Sequence, residues 1–597
     1  MIFMRKKWLV KTTNQKNDFA ELFDDLQNTI LKNRDIKKKA EVEAIVKPNY
    51  ELHLHDPFLM KDMDLAVSRV LKAIENKEKI LIFGDYDADG VPASVILAEF
   101  FDQINYENYS VYIPDRHTEQ YGMSEKVIDK FKKDQVELII TVDCGISNFK
   151  EVKKANKLGI DVIVTDHHLP PAKLPQAVAV VDPKRADCTY PYSYLAGAGV
   201  AFKLVQGLIA RGDFKTINPG WEKWLLDLVA IATVSDMVPM TGENKVLVKF
   251  GLVVLRVTRR TGLLELFRVM RMKQQHIVED DIGFMIGPRI NSAGRMSHAM
   301  EAFKLLTTKD ENEAREIVKH LEDKNKERKN LVAEILQVVS DKYLDKELPA
   351  VVVVGDADWG LGVLGLAASR IAEKYDRPVF VWAKNGSGEI KGSCRSDGRV
   401  NVVELMTEVD KVKTKKAGGG DRDNQKEEKF FSDFGGHDFA GGFSLMEKKL
   451  KKLQARLVSA YKKAKKSVVA EEELADKKIA LSDVNWQTVR EIDELAPYGI
   501  DFPRPVFWFE GATIVSAKSF GKVGGHVEVV FKTTSGTPLP AIAFFACDGD
   551  LVPDQGHIWP GVTLAPGRVV DVLASVEKST FKYKPEIRLR IVDLKVR

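Results

Sequence analysis

Residues 79 to 101 read KILIFGDYDADGVPASVILAEFF: a short continuous apolar run, a loop crowded with carboxylates, and a helix-like run. An apolar run without alternation suits a strand of a parallel sheet covered on both faces. It is echoed by VELIITV (136 to 142), DVIVT (161 to 165) and AVAVV (177 to 181), with helical stretches between. Residues 76 to 308 are therefore expected to form an α/β domain on a parallel sheet.

The loop is Gly84-Asp85-Tyr86-Asp87-Ala88-Asp89-Gly90. Three carboxylates at alternate positions of an extended segment lie on one side, too close to stay ionised without a cation. An EF-hand opens with the same D-x-D-x-D-G, but its twelfth position would be Ile96 where a bidentate Glu is needed, and a strand precedes it rather than a helix.

Three more apolar runs end in similar groups: Val142-Asp143-Cys144-Gly145, Thr165-Asp166-His167-His168, and LLDLVAIATVSDMVP with Ser235-Asp236. In an open parallel sheet such termini share one crevice. Carboxylates with one or two imidazoles and no thiolate suit two Mn²⁺ or Mg²⁺ ions better than structural zinc. Asp87, Asp89, Asp143, His167 and Asp236 are the expected ligands. Asp85 and Asp166 either bind or orient their neighbours. His168 either packs or addresses a scissile phosphate, so Asp85, Asp166 and His168 are catalytic candidates. Two ions can activate water and clamp both oxygens of a displacement, which makes phosphoester hydrolysis the expected reaction.

The chain of 597 residues is long enough for three to five domains. Its 90 Lys and Arg against 86 Asp and Glu give +4, a balance that neither requires nor excludes nucleic acid. Four scattered cysteines without a CxxC pair argue against a zinc ribbon or a disulfide framework and fit a reducing cytoplasm. Neither a signal peptide nor an apolar stretch of membrane-spanning length is legible.

Residues 1 to 75 read as a helical appendage. A charged helix over 309 to 345 is expected to bridge to a second α/β unit over 346 to 466, whose polar segment 411 to 429 reads as a mobile loop. After a linker over 467 to 502, five strand-like runs over 503 to 597 suit a small barrel.

The motifs GDYDADG (84 to 90), VDCG (142 to 145), TDHH (165 to 168), ATVSDMVPMTGEN (232 to 244), GPRINSAGRM (287 to 296), GSCRS (392 to 396) and FGGHDFAGGFS (434 to 444) occur in order. By these the chain resembles the DHH phosphoesterase superfamily and, within it, the RecJ-like exonucleases of bacteria. The resemblance implies a two-metal DHH catalytic domain, a bridging helix, a DHH-associated domain across a cleft, and an OB-fold. It also implies 5′ to 3′ degradation of single-stranded DNA to mononucleotides in repair and recombination, alongside a single-strand-binding protein and a RecQ-type helicase. By the same likeness Asp87, Asp89, Asp143, His167 and Asp236 match the manganese ligands. Gly441 stands where alanine is common in the family.

For the substrate, GPRINSAGRM reads as an anion-binding turn carrying Arg289 and Arg295, unless these are structural ion-pair partners. Ser393, Arg395 and His437 are assigned to the terminal phosphate or the backbone near it. Arg588 and Arg590 fall on one strand face of the last domain. With Phe581, Tyr583, Trp508 and Phe520 they could line a stacking groove. EKKLKKLQARLVSAYKKAKK (447 to 466) sets nine basic residues against one acidic one. Gly360-Leu361-Gly362-Val363-Leu364-Gly365 matches GxGxxG but does not directly follow a strand, so it is not read as a dinucleotide site. No GxxxxGK[ST] occurs, so unwinding must come from elsewhere. Oligoribonucleotides or cyclic dinucleotides are the alternative substrates, and a non-catalytic DNA scaffold is a third reading. A monomer is expected.

Overall fold

The computed structural model describes residues 7–12, 23–116, 118–119, 122–344, 346–384, 388–411, 429–464, 472–521, 526–533, 536–544, 564–580 and 584–597. The first sheet has five parallel strands in the spatial order Tyr109–Tyr112, Ile80–Gly84, Leu138–Val142, Asp161–Thr165, Ala179–Val181. Ile80–Gly84 and Leu138–Val142 are fully buried, which explains their uninterrupted apolar sequence. The chain leaves Ile80–Gly84 toward one edge and returns to build the other three strands on its opposite side. Strand order therefore reverses between Ile80–Gly84 and Leu138–Val142, and this is where a doubly wound sheet opens a crevice at its carboxyl ends. Asp85 to Asp89 and Asp143 follow these two strands directly.

Two readings of local structure need correction. LLDLVAIATVSDMVP contributes no strand: Leu226–Ser235 is a buried helix, and Asp236 is its C-cap. Its apolar residues surround the whole helix because it is packed on all sides, so periodicity could not separate it from a buried strand. GPRINSAGRM is not a turn but the helix Gly287–Met296, entered through a π-helical stretch Ile282–Ile286. Its two glycines and one proline suggested a break. Pro288 is the second residue of this helix, directly after the π-helical stretch.

The helix Glu311–Lys342 carries the chain onward, capped by Asp310, whose carboxylate accepts the Asn312 and Glu313 N–H groups at 2.7 and 3.0 Å. Its 32 residues span about 48 Å. The second sheet has the order Asp433–His437, Ala440–Leu445, Ile390–Arg395, Val379–Lys384, Val352–Gly355. Only its last two strands are parallel; the other pairings are antiparallel. Residues 412 to 428 of the polar segment lie outside the described residues.

The C-terminal sheet closes because the fourteen-residue strand Phe507–Phe520 pairs with both His526–Lys532 and Val569–Ser579. Pro538–Ala543 and Glu586–Val596 complete the five-stranded barrel. Its interior joins that of the catalytic domain in one apolar cluster. The N-terminal segment is not purely helical: Lys7–Val10 forms a parallel two-stranded sheet with Glu472–Ala475. Trp8 there packs edge-on against Trp508 and donates its indole N–H to Asp593 at 2.8 Å. No described helix is long and apolar enough to cross a membrane.

Candidate metal centre and phosphodiester site

The loop after Ile80–Gly84 is held by its own carboxylates. Asp87 accepts the N–H groups of Asp89 and Gly90 at 2.9 and 3.1 Å, capping the helix Gly90–Gln103. Asp89 is buried, and its two oxygens accept the Gly197 and Ala198 N–H groups at 2.7 Å each. These amides open the helix Gly197–Arg211, whose positive end favours a carboxylate there. Asp143 takes a left-handed conformation, φ 61°, which is costly for a residue with a Cβ and turns its side chain toward the loop.

His167 joins these groups. Its Nε2 lies 3.1 Å from Asp143 Oδ1, 3.5 Å from Asp89 Oδ2 and 3.7 Å from Asp236 Oδ2. Three sets of ligand atoms fall within 4.8 Å of one another: Asp85 with Asp87 and Asp143, Asp89 with His167 and Asp236, and Asp143 with His167 and His168. The first two sets are disjoint, and Asp143 of the first lies 3.1 Å from His167 of the second, so the donors suffice for two hard divalent ions. The buried Asp85 Oδ1 has no hydrogen-bond partner. A buried carboxylate oxygen without a donor is costly unless it meets a proton or a cation.

Electrostatics agree. Burial, then the neighbouring carboxylates, push Asp85, Asp89 and Asp143 well above the ordinary carboxylate range. Asp236 rises to about 7 by burial and the charge of Asp87. Burial, then His168 and Lys184, lower His167 to about 3, leaving a neutral imidazole suited to ligation.

Asp166 has a different task. Its oxygens accept the N–H groups of His167, His168 and Ile146 at 2.7, 3.1 and 2.9 Å, and its Oδ1 lies 2.8 Å from His168 Nδ1. Burial would raise its pKa, but the hydrogen bond and charge of His168 with these N–H donors hold it low. Burial lowers His168 too, yet the Asp166 hydrogen bond and charge, with Asp236 and Asp85, carry it up to about 9. Asp166 thus orients a half-exposed imidazole at the rim of the carboxylate cluster.

Among the anticipated substrate residues, Arg289 is ion-paired with Glu322 on the bridging helix. Arg295 is brought down to about 10 by burial and by the charges of Arg116 and Arg328. Its backbone carbonyl touches the associated domain at Gly362, where a Cβ would come within 2.2 Å. Gly365 similarly faces Arg395 Nη2 and Ser393 Oγ, so Gly362 and Gly365 of the GxGxxG run permit close packing, whereas nothing approaches Gly360. Arg395 is steadied by Ser369 Oγ at 3.1 Å and its neighbour's carbonyl at 2.8 Å, and His437 is exposed.

On the barrel, Arg588 pairs with Glu577, and Arg590 reaches Asp280 of the catalytic domain at 2.5 Å. Phe520 lies beside His526, while Phe581 and Tyr583 are outside the described residues. On Glu447–Lys463, Leu453, Leu457 and Tyr461 are buried and Lys448, Lys451, Lys452, Lys462 and Lys463 are exposed.

Sequence reasoning missed Arg116, whose guanidinium lies 4.8 Å from the Tyr86 ring centroid, and Asn291, whose Oδ1 accepts the Ala88 N–H at 3.1 Å. Asn291 lies within GPRINSAGRM, where the two arginines are the only residues whose charge points to a phosphate. It also missed Asp182, buried just past Ala179–Val181, and Gly197, whose partners are more than fifty residues away.

Comparison with known proteins covers the same architecture. The DHH family N-terminal domain matches residues 79–233, the DHHA1 domain 347–463 and the RecJ OB domain 475–593. The single-stranded-DNA-specific exonuclease RecJ of Bacillus subtilis (strain 168) is 31% identical over 607 residues, covering 100% of this chain and 72% of that protein. The Escherichia coli (strain K12) protein of the same name is 32% identical, covering 83% of this chain and 85% of its own. The crystal structure of RecJ from Thermus thermophilus in complex with Mn²⁺ superposes with a TM-score of 0.78 at 25% identity, covering 100% of this chain and 80% of that one. With a catalytic, an associated and a barrel domain in this order, and likeness along its whole length, the chain belongs to the RecJ family.

Proposed function

We propose that this protein is a metal-dependent exonuclease that degrades single-stranded DNA from the 5′ end to mononucleotides, in DNA repair and recombination. The observation that carries this is the pair of adjacent donor sets, Asp85 with Asp87 and Asp143 and Asp89 with His167 and Asp236, set at the switch point of a parallel sheet. Asp87, Asp89, Asp143, His167 and Asp236, joined by Asp85 with its unpartnered oxygen, would hold two Mn²⁺ or Mg²⁺ ions. When bound, such ions supply water activation near neutral pH and stabilise charge on a phosphoryl group.

The chain's own residues do the rest. Asp166 fixes His168 so that its free ring nitrogen can meet a phosphate oxygen. The amides of Gly197 and Ala198 hold the Asp89 carboxylate in one orientation, so little reorganisation is left for the reaction. Arg295, Ser393, Arg395 and His437 would take the terminal phosphate from both sides of the cleft. Arg588 and Arg590 would act on the strand only by sharing guanidinium groups already engaged by Glu577 and Asp280. The lysine face of Glu447–Lys463 offers further charge for the backbone.

A single-strand-binding protein and a RecQ-type helicase are the partners inferred, and the enzyme is taken to act as a cytoplasmic monomer. Titrating Mn²⁺ and Mg²⁺ against 5′-labelled and 3′-labelled strands tests the reading. Metal-dependent release of labelled mononucleotide from the 5′-labelled strand first is expected. Release from the 3′ end first, or activity in EDTA, overturns it.

A further inference from the structure

Away from the metal centre, a cavity of about 420 Å³ opens where several elements meet. Trp224 comes from the short turn Trp221–Leu225, Asp227 from the start of Leu226–Ser235, Arg259 and Arg260 from just ahead of Thr261–Met270, and Lys309 from just ahead of Glu311–Lys342. The volume lies within the range of about 300–1,000 Å³ that holds small ligands.

The floor is electrically settled. Arg260 Nε donates to Asp227 Oδ2 at 2.8 Å, its Nη2 donates to Glu99 Oε2 at 3.0 Å, and the Thr258 hydroxyl donates to Asp227 at 2.9 Å. The rim is not. Arg259 and Lys309 are exposed, and among the described residues neither has an ion-pair partner. Trp224 is 53% exposed. An indole with an open face beside two uncommitted cations can hold a base by stacking and its phosphate by charge.

We propose that this cavity is a second nucleotide site, taking one nucleoside 5′-monophosphate with its base on Trp224 and its phosphate at Arg259 and Lys309. Its position gives it reach. Glu99 lies on Gly90–Gln103, the helix that begins immediately after Asp89, and Asp227 lies on the helix that ends at Asp236. Arg260 therefore ties together two helices at points about 15 Å from Asp89 and about 14 Å from Asp236, the expected metal ligands at their near ends. That the occupant belongs to the class of molecule the reaction releases rests on the exonuclease reading; the binding itself does not.

Calorimetric titration of the full-length protein with dAMP, in EDTA, tests the site. A binding event is expected that Trp224→Leu and the double variant Arg259→Glu/Lys309→Glu each weaken at least tenfold, and that Asp143→Asn leaves in place. Ribose 5-phosphate, which lacks the base, should bind more weakly than dAMP. Unchanged unfolding midpoints show that the variants fold, and the milder Lys309→Ala should weaken binding in the same direction. Absence of binding, an isotherm unchanged by the cavity variants, loss of binding in Asp143→Asn, or equal binding of ribose 5-phosphate overturns the proposal. A protein that cleaves single strands but shows no such dAMP site loses only this inference; one that binds dAMP there but cleaves no strand loses only the exonuclease reading.

Discussion

The Asp89 carboxylate accepts the Gly197 N–H at 2.7 Å, and Gly197 is packed so closely that an added Cβ would come within 2.5 Å of Asp143. One glycine therefore sets the spacing of two expected ligands that lie far from it in sequence. Gly197→Ala should displace Asp143 while keeping the helix, because alanine favours helical backbone. Single-strand cleavage should fall about 10²-fold or more. Unaltered kcat and metal affinity in a folded variant would show that the close approach does not matter.

Asp166 acts through its neighbours rather than on a ligand. Asp166→Asn should keep a side-chain acceptor for the backbone amides but remove the charge that supports His168, with a loss of about 10- to 100-fold in kcat. The pH profile distinguishes this from simple damage: the His168 ionisation should move down from about 9 toward its ordinary value.

Stability should depend on pH more steeply without metal than with it. In the metal-free protein the Asp85, Asp89, Asp143 and Asp236 carboxyls hold protons more tightly when folded than when unfolded, with Asp236 at about 7. Stability from these groups is fully present below the unfolded carboxyl range and is lost as pH rises through the folded values. His167, lowered to about 3, works the other way between there and its ordinary value, but it is one group against four. Thermal unfolding midpoints in EDTA should therefore fall from pH 5 to pH 8. Each fully shifted carboxyl contributes about 1.4 kcal/mol per pH unit. Saturating Mn²⁺ should raise the midpoint most at the alkaline end; an equal gain at all pH values would contradict the crowding of charge.

The Arg590–Asp280 contact crosses from barrel to catalytic domain with both side chains about one third exposed. Such a pair stabilises by no more than about 1 kcal/mol. A double-mutant cycle with Arg590→Ala and Asp280→Ala should return a coupling of that size or less in thermal unfolding. A much larger value would mean that the pair, rather than the shared apolar core, holds the two domains together.

The sequence was most legible where chemistry and backbone coincide. Buried parallel strands must be apolar throughout, so the carboxylate that follows Gly84, Val142 and Thr165 marks both the strand's limit and the crevice, and Asp85 to Asp89, Asp143 and Asp166 to His168 could be read together. Asp236 was legible as a residue but not as the cap of a helix, because a helix buried on all sides shows no period. Gly197, Asn291 and Arg116 were illegible for another reason. Their contribution is a contact with Asp89, Asp143, Ala88 or Tyr86 made only when distant segments fold together. The pairing of Lys7–Val10 with Glu472–Ala475 belongs to the same class, since a four-residue strand carries too little pattern to name its partner.

That pairing has a cost in time. The strand at Lys7–Val10 leaves the ribosome long before the residues at 472–475 that complete its two-stranded sheet. At about 5–20 residues per second, the wait is on the order of half a minute to a minute and a half. During synthesis Trp8 must remain without its seat against Trp508 and Asp593, so the barrel cannot be finished on its outer side until the strand Glu586–Val596 has been made.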